Sequence, residues 1–299
     1  MRIKLAENFR AVFYAPFYAT QARGFFAQQG VDVELVASAN PGDAVAGVLD
    51  GSIDVTWGGP MRVMKAREQD SGSPLVSFCE VVARDPFFLV GNASLAPFDL
   101  AALPRLRFAA VSEVPTPWMC LQHDLRGRGV DPSRMDRGVP RPMAENLEAL
   151  RRGDLDVVQV FEPYVSIALA EGIGDILYAA STRGPTVYTT LIATRDRLAR
   201  NREGFTALVR AFADMERWLA DCEPAALAAA VAPFYPGLSA APLTRSLARY
   251  REAGIWARTP GMSREGFARL ADSLVSGGFI ASPPRYQDCV DMSFAESVK

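Results

Sequence analysis

The sequence predicts an α/β fold of two similar lobes facing each other across a cleft. Two observations carry that reading. Short apolar runs alternate with segments of helical periodicity, the pattern of strands joined by helices. The first third of the chain also recurs weakly about one hundred residues later, as two related strand–loop–helix–helix–strand units. In open α/β sheets ligands bind beyond the carboxyl ends of the strands. Two such lobes would place equivalent loops on opposite sides of one site, a clamp closing by hinge motion.

The predicted strands, in order, are Ile3–Ala6, Val31–Val36, Ile53–Trp57, Leu75–Val82, Phe87–Val90, Leu106–Val111, Val157–Phe161 and Val187–Thr194. Helices fill many of the gaps, for example Asp43–Leu49 and Met143–Arg152. The recurrence is clearest in Gly51-Ser52-Ile53-Asp54-Val55 and Gly153-Asp154-Leu155-Asp156-Val157, which share G-x-[I/L]-D-V at an offset of 102. The same offset pairs Val45 with Leu147 and Val48 with Leu150 on the preceding helix. Upstream, GFFAQQGVD (24–32) and LRGRGVD (125–131) align at an offset of 99, each a helix stopped by glycine and followed by Val-Asp. The runs Glu203–Cys222 and Ser263–Ser276 read as amphipathic packing helices without recognisable chemistry.

Composition narrows the function. The 299 residues are 49% hydrophobic and carry Lys+Arg 32 against Asp+Glu 34, a net charge of −2. Nucleic acid is not an expected partner, since that needs clustered basic residues. The cysteines Cys79, Cys120, Cys222 and Cys289 lack zinc or disulfide-scaffold spacing, and His123 is the single histidine. No metal and no cofactor is expected. The uncharged run Pro224–Thr244 is broken by Pro233, Pro236 and Pro242, so it does not read as a membrane helix. After Met1-Arg2 comes IKLAEN rather than an apolar leader. The expectation is therefore a periplasmic protein if an export signal was trimmed, or a cytoplasmic one if Met1 is the native start.

AENFRAVFYAPFYATQARGFFAQQGVDVELV (6–36), LDGSIDVTWGGP (49–60) and RRGDLDVVQVFEPYVSIALAEG (151–172) carry a family resemblance. They resemble the substrate-binding proteins of the nitrate/sulfonate/taurine and thiamine-pyrimidine-precursor (NMT1-like) group of ABC transporters. That resemblance covers about residues 2–195 and implies a two-lobed periplasmic-binding-protein-like fold of type II. It implies chain crossings near Ala83–Pro86 and Gly184–Tyr188. Lobe one would be residues 1–84 plus 190–299, and lobe two 85–189. The implied partners are a small organic ligand and an ABC permease in the membrane, with the receptor itself a monomer.

Strand-end loops would line the cleft in three facing pairs. The loop after the first strand (Asn8, Phe9, Arg10, Phe13, Tyr14) opposes Ser112, Glu113, Thr116 and Trp118, where a helix amino end could receive an anionic group. Ser38, Ala39 and Asn40 oppose Arg141 and Met143, and Asn40-Pro41 reads equally as a turn and cap. Trp57, Gly58, Gly59 and Arg62 oppose Phe161, Glu162 and Tyr164. Arg84-Asp85, at the presumed crossing, and Tyr188 complete the candidates. Phe13 and Phe17 recur at helical spacing, which also fits plain core packing. Trp57 ends a strand directly before two glycines, so it is read as a ligand wall, and Trp57→Ala is expected to weaken binding with the fold intact.

An enzyme on the same fold is the rival reading. Cys120 with His123 three residues on could form a nucleophile pair, although a buried inert cysteine is the commoner arrangement. Glu113 and Glu162 could do acid–base work, as in a cytoplasmic decarboxylase or isomerase. The reading adopted is a binding protein for an aromatic, heteroaromatic or acidic organic ligand.

Overall fold

The computed structural model describes residues 2–38 and 41–298. The first sheet contains β1 (Arg2–Glu7), β2 (Asp32–Ala37), β3 (Val55–Gly58) and β4 (Leu75–Val82). The second contains β5 (Phe88–Gly91), β6 (Phe108–Ala109), β7 (Val157–Val160) and β8 (Asp175–Ala179). The chain then returns to the first sheet as β9 (Thr189–Thr194). Strand order is β2-β1-β3-β9-β4 in the first sheet and β6-β7-β5-β8 in the second.

Each sheet admits one antiparallel interior strand, and in both cases it is the first strand after a crossing. β5 runs antiparallel to β7 and β8, and β9 runs antiparallel to β3 and β4. Strands β3, β4, β5 and β7 are buried along their length, which is why they read as largely apolar runs. β8 is an edge strand with half-buried residues, and its weaker pattern escaped sequence reading.

The helices are α1 (Ala15–Ala22), α2 (Phe25–Gln28), α3 (Pro41–Asp50), α4 (Met61–Gln69), α5 (Thr116–Arg126), α6 (Met143–Arg151) and α7 (Tyr164–Ala170). After β9 come α8 (Arg195–Arg200), α9 (Arg202–Asp221), α10 (Pro224–Val231), α11 (Ala240–Glu252) and α12 (Arg264–Ser276). Among the described residues no helix is long and apolar enough to cross a membrane.

The shared G-x-[I/L]-D-V pattern has a common physical cause. The Lys4 N–H donates to the Asp54 carboxylate at 2.7 Å, and the Asp54 N–H returns a bond to the Lys4 carbonyl. Arg107 and Asp156 repeat this exchange, with the Arg107 N–H at 2.8 Å from the Asp156 carboxylate. Each aspartate thus pins its strand beside the neighbouring first strand. Gly51 and Gly153 turn the chain just before, at φ of 83° and 75°.

A large apolar core fills the first lobe and continues across the cleft into the inner side of the second. Within it lie two carboxyl groups, Glu80 on β4 and Glu216 on α9, 5% and 2% exposed. Burial pushes Glu80 up to about 8, and burial with the neighbouring Glu80 raises Glu216 well above the carboxylate range. The unfolded chain loses these protons at ordinary carboxylate pH while the fold holds them. Their contribution is therefore intact below that range and is lost as pH rises towards 8. Glu80→Gln and Glu216→Gln should each raise the melting temperature at pH 8, with the gain vanishing near pH 4. A gain of equal size at both pH values would show that ionisation is not its source.

Candidate ligand-binding site

The carboxyl ends of β1 and β3 face the loop after β6, and a cavity of about 30 Å³ lies between them. From the first lobe come Asn8, Phe9, Phe13 and Tyr14 after β1, then Gly59, Met61 and Arg62 after β3. From the second come Val114, Pro115 and Thr116, where α5 begins, while Phe87, Tyr188 and Thr189 close it along the two crossings. This space holds a water or two, far below the 300–1,000 Å³ of a typical organic-ligand site.

Apolar rings seal the closed arrangement. Phe13 packs edge-on against Phe161 at 5.4 Å, Phe87 meets Phe161 at 5.3 Å, and Phe9 lies 6.5 Å from Phe161. Thr116 Oγ1 reaches from α5 to Met61 Sδ on α4 at 2.7 Å, a direct contact between the lobes. Against this apolar lining stand a few polar groups. Asn8 Nδ2 donates to Tyr14 Oη at 3.1 Å, and burial pushes the Tyr14 phenol up to about 12. Arg62 is half-buried and has no carboxylate partner among the described residues. Burial lowers its pKa below the ordinary arginine value, and the neighbouring Tyr14 offsets that in part.

Of the residues singled out from sequence, Asn8, Phe9, Phe13, Tyr14, Gly59, Arg62, Thr116 and Tyr188 lie at this cavity. Gly58 lies beside it, packed against the Asn8 amide and Ile192. Ala39 and Asn40 lie outside the described residues. The others are engaged elsewhere, each for a definite reason.

Trp57 is fully buried and does not line the cavity. Its ring stacks on Phe17 at 4.4 Å and 14°, with Tyr14 and Tyr18 edge-on at 5.9 Å. Residues alternate in facing along a strand, so Trp57 points with Val55 into the core. The glycines that follow it, not the indole, face the cleft.

Arg10 is exposed and pairs with Glu7 at 2.9 Å, above the Tyr18 ring. Arg84 Nη1 donates to the Ser181 carbonyl at 3.1 Å, linking the two crossings. Glu113 accepts the Met143 N–H at 2.8 Å and so caps α6, while Ser112 Oγ donates to the Arg141 carbonyl at 2.8 Å. Trp118 packs on Phe108 with the Arg137 guanidinium 4.7 Å above it, and with Ser112 it lines a groove of about 390 Å³ that shares Val114 and Pro115 with the cavity. Tyr164 is half-buried against Phe161.

Glu162 is fully buried and its carboxylate accepts bonds from Ser166, Ser246 and Arg249. Neither Glu113 nor Glu162 reaches the cavity, so the acid–base pair considered from sequence does not assemble here. Cys120 is fully buried, and burial drives its thiol well away from the reactive thiolate. Residues at the cavity that were not singled out from sequence are Met61, Phe87, Val114, Pro115 and Thr189.

The family model described as NMT1-like matches residues 9–233. The chain belongs to the NMT1-like family. A curated relative, the putative binding protein YtlA of Bacillus subtilis (strain 168), is 23% identical over 299 residues, covering 99% of this chain and 90% of that protein. Among solved structures, this NMT1-like chain resembles the putative periplasmic sulfonate-binding protein SsuA of a sulfonate ABC transporter from Methylobacillus flagellatus KT. The TM-score is 0.76 at 16% identity, over 100% of this chain and 93% of that one. It also resembles the ligand-binding component of an ABC-type import system from Staphylococcus aureus, with a TM-score of 0.74 at 17% identity over 100% and 99% of the two chains. At these identities the likeness establishes the fold, a periplasmic-binding architecture.

Proposed function

We propose that this chain is the solute receptor of an ABC-type importer, closing residues 85–189 against residues 1–84 and 190–299 on a small organic acid. The observation that carries the acid is Arg62, a half-buried guanidinium at the cleft without a carboxylate partner among the described residues. The amino end of α5 lies across from it at Thr116, and helix amino ends favour negative charge. Phe9, Phe13 and Phe87 offer rings to an apolar or aromatic body. A receptor of this kind works as a monomer outside the cytoplasmic membrane, where a permease recognises the closed form. The family relationship supports this reading, since YtlA is named as a putative binding protein and the S. aureus structure as an ABC ligand-binding component.

A thermal-shift screen over aromatic acids, pyrimidines and sulfonates, followed by native mass spectrometry, tests it. An acid should bind at one per chain, unmodified, with stabilisation that grows with concentration, about 2.7 kcal/mol at one hundred times Kd. Turnover of the bound compound would replace the receptor by an enzyme. Arg62→Gln should weaken the best acid about 10- to 100-fold, the worth of a charge-assisted hydrogen bond. The unliganded variant should melt no lower than the parent, because an unpaired half-buried cation is itself costly. Unchanged affinity would remove Arg62 from the site.

A further inference from the structure

The loop after β1 brings Phe13 and Tyr14 to the cavity and is itself buried there, so its backbone groups must find partners. Ala11, Val12, Phe13 and Tyr14 are all buried. Their own turn supplies little. The Tyr14 N–H donates to the Ala11 carbonyl at 3.0 Å, but no side chain caps this 3-10 turn, and hydrogen-bond geometry in such turns is poor. Two side chains from the C-terminal third add donors. Tyr235 Oη donates to the Ala11 carbonyl at 2.9 Å, and Trp256 Nε1 donates to the Phe13 carbonyl at 2.9 Å. Both are buried, and neither lines the cavity.

Trp256 is itself fixed where the chain leaves the first sheet. It forms an antiparallel bridge with Val82, the Ala257 N–H donates to the Val81 carbonyl at 3.0 Å, and the Ile255 carbonyl accepts the Ala83 N–H at 2.7 Å. The Val82 carbonyl in turn accepts the N–H of Tyr188, a cavity residue, at 2.9 Å. One indole thus ties the loop to the crossing between the lobes. Tyr250 on α11 extends the same frame to the second lobe. Its ring meets Phe13 at 6.4 Å and Trp256 at 6.1 Å, both edge-on, and its hydroxyl accepts the Glu162 N–H at 2.9 Å.

We infer that Trp256 and Tyr235 are positioning residues of the binding site. Without touching a solute, they hold the Ala11 and Phe13 carbonyls so that the Phe13 and Tyr14 rings stand ready to receive one. This rests on the cleft being the solute site, and adds that the C-terminal third sets its affinity. Movement at the crossing would also reach the loop, through the single indole that joins them.

Hydrogen exchange read by mass spectrometry on the unliganded protein tests this, comparing the parent with Trp256→Phe, Tyr235→Phe and Tyr286→Phe. The first two keep a ring and remove one N–H or O–H, and Tyr235→Phe covers the case in which Trp256→Phe does not fold. Tyr286→Phe is the matched control, since Tyr286 Oη donates to the Met262 carbonyl at 2.7 Å and neither residue lines the cavity. Amides of residues 9–14 should exchange about three- to tenfold faster in each of the first two variants, the worth of one hydrogen bond, with β2 unchanged. The control should leave residues 9–14 as in the parent. Affinity for benzoate, by calorimetry, should fall about three- to tenfold in the first two and stay within about twofold in the control. Unchanged exchange of residues 9–14 in both variants, or an equal rise in the control, overturns the inference, as does faster exchange with unchanged benzoate affinity. A parent that does not bind benzoate counts against the aromatic acid proposed above, and the exchange result then decides the positioning by itself.

Discussion

Trp57→Ala is expected to lower the melting temperature by roughly 6–12 °C, a loss of about 3–5 kcal/mol. The indole is fully buried, stacked on Phe17 and framed by Tyr14 and Tyr18. These rings come from a 3-10 turn at Val12–Tyr14 and from α1, so the indole joins that segment to the centre of the first sheet. Alanine would leave a void that such a ring cluster cannot collapse to fill. Trp57→Phe should recover most of the loss, because the indole Nε1 has no hydrogen-bond partner to forfeit. Whatever fraction of the alanine variant stays folded at low temperature should keep its affinity, since the indole does not touch the cavity. Thermal melting and calorimetry on the three proteins check this. An alanine variant with unchanged melting but weakened binding would return Trp57 to the ligand wall.

The placement of Trp57 in the core shows what the sequence makes legible and what it hides. Buried strands announce themselves as apolar runs, and Leu75–Val82 is found where the sequence places it, residue for residue. The facing of a strand-end residue depends on alternation counted from its neighbours. Val55 and Trp57 share a face, and Phe17 lies one helical turn from Phe13 where it can meet them. The glycine pair marks a corner that reaches the cavity through Gly59, while the indole before it packs into the core.

Arg62 was harder to weigh, because MRVMKARE reads as an ordinary exposed helix start, and only the tertiary arrangement half-buries its guanidinium opposite α5. Glu113 was misplaced for a similar reason. Its role as a cap for α6 joins residues 30 positions apart, and no local pattern reports such a bond. Phe87 and Thr189 reach the cavity because the crossings bring them there, which a strand list cannot show.

Glu162 carries the second large effect: Glu162→Ala is expected to cost about 3 kcal/mol, near the lower end for breaking a buried ion pair. Oε1 accepts from Arg249 Nε at 2.7 Å and Ser166 Oγ at 3.0 Å, and Oε2 accepts from the Ser166 N–H at 2.9 Å and Ser246 Oγ at 3.0 Å. The Glu162 N–H donates to Tyr250 Oη at 2.9 Å. Ser246, Arg249 and Tyr250 all belong to α11, so one side chain of the second lobe is held by a helix that follows the return crossing. Removing the carboxylate leaves Arg249 and two hydroxyls short of their acceptor. Arg249 keeps 24% exposure and can recruit water, which places the cost at the low end. Arg249→Ala alone should cost less, because Glu162 retains three donors. A double-mutant cycle in urea should then show a coupling of about 1–3 kcal/mol between the two positions. The looser tie between the lobes should also lower apparent ligand affinity in Glu162→Ala, since less of the protein occupies the closed form. Additive single effects, or a Glu162→Ala loss below about 1 kcal/mol, would show that water replaces the carboxylate and that Glu162 does not tie the lobes together.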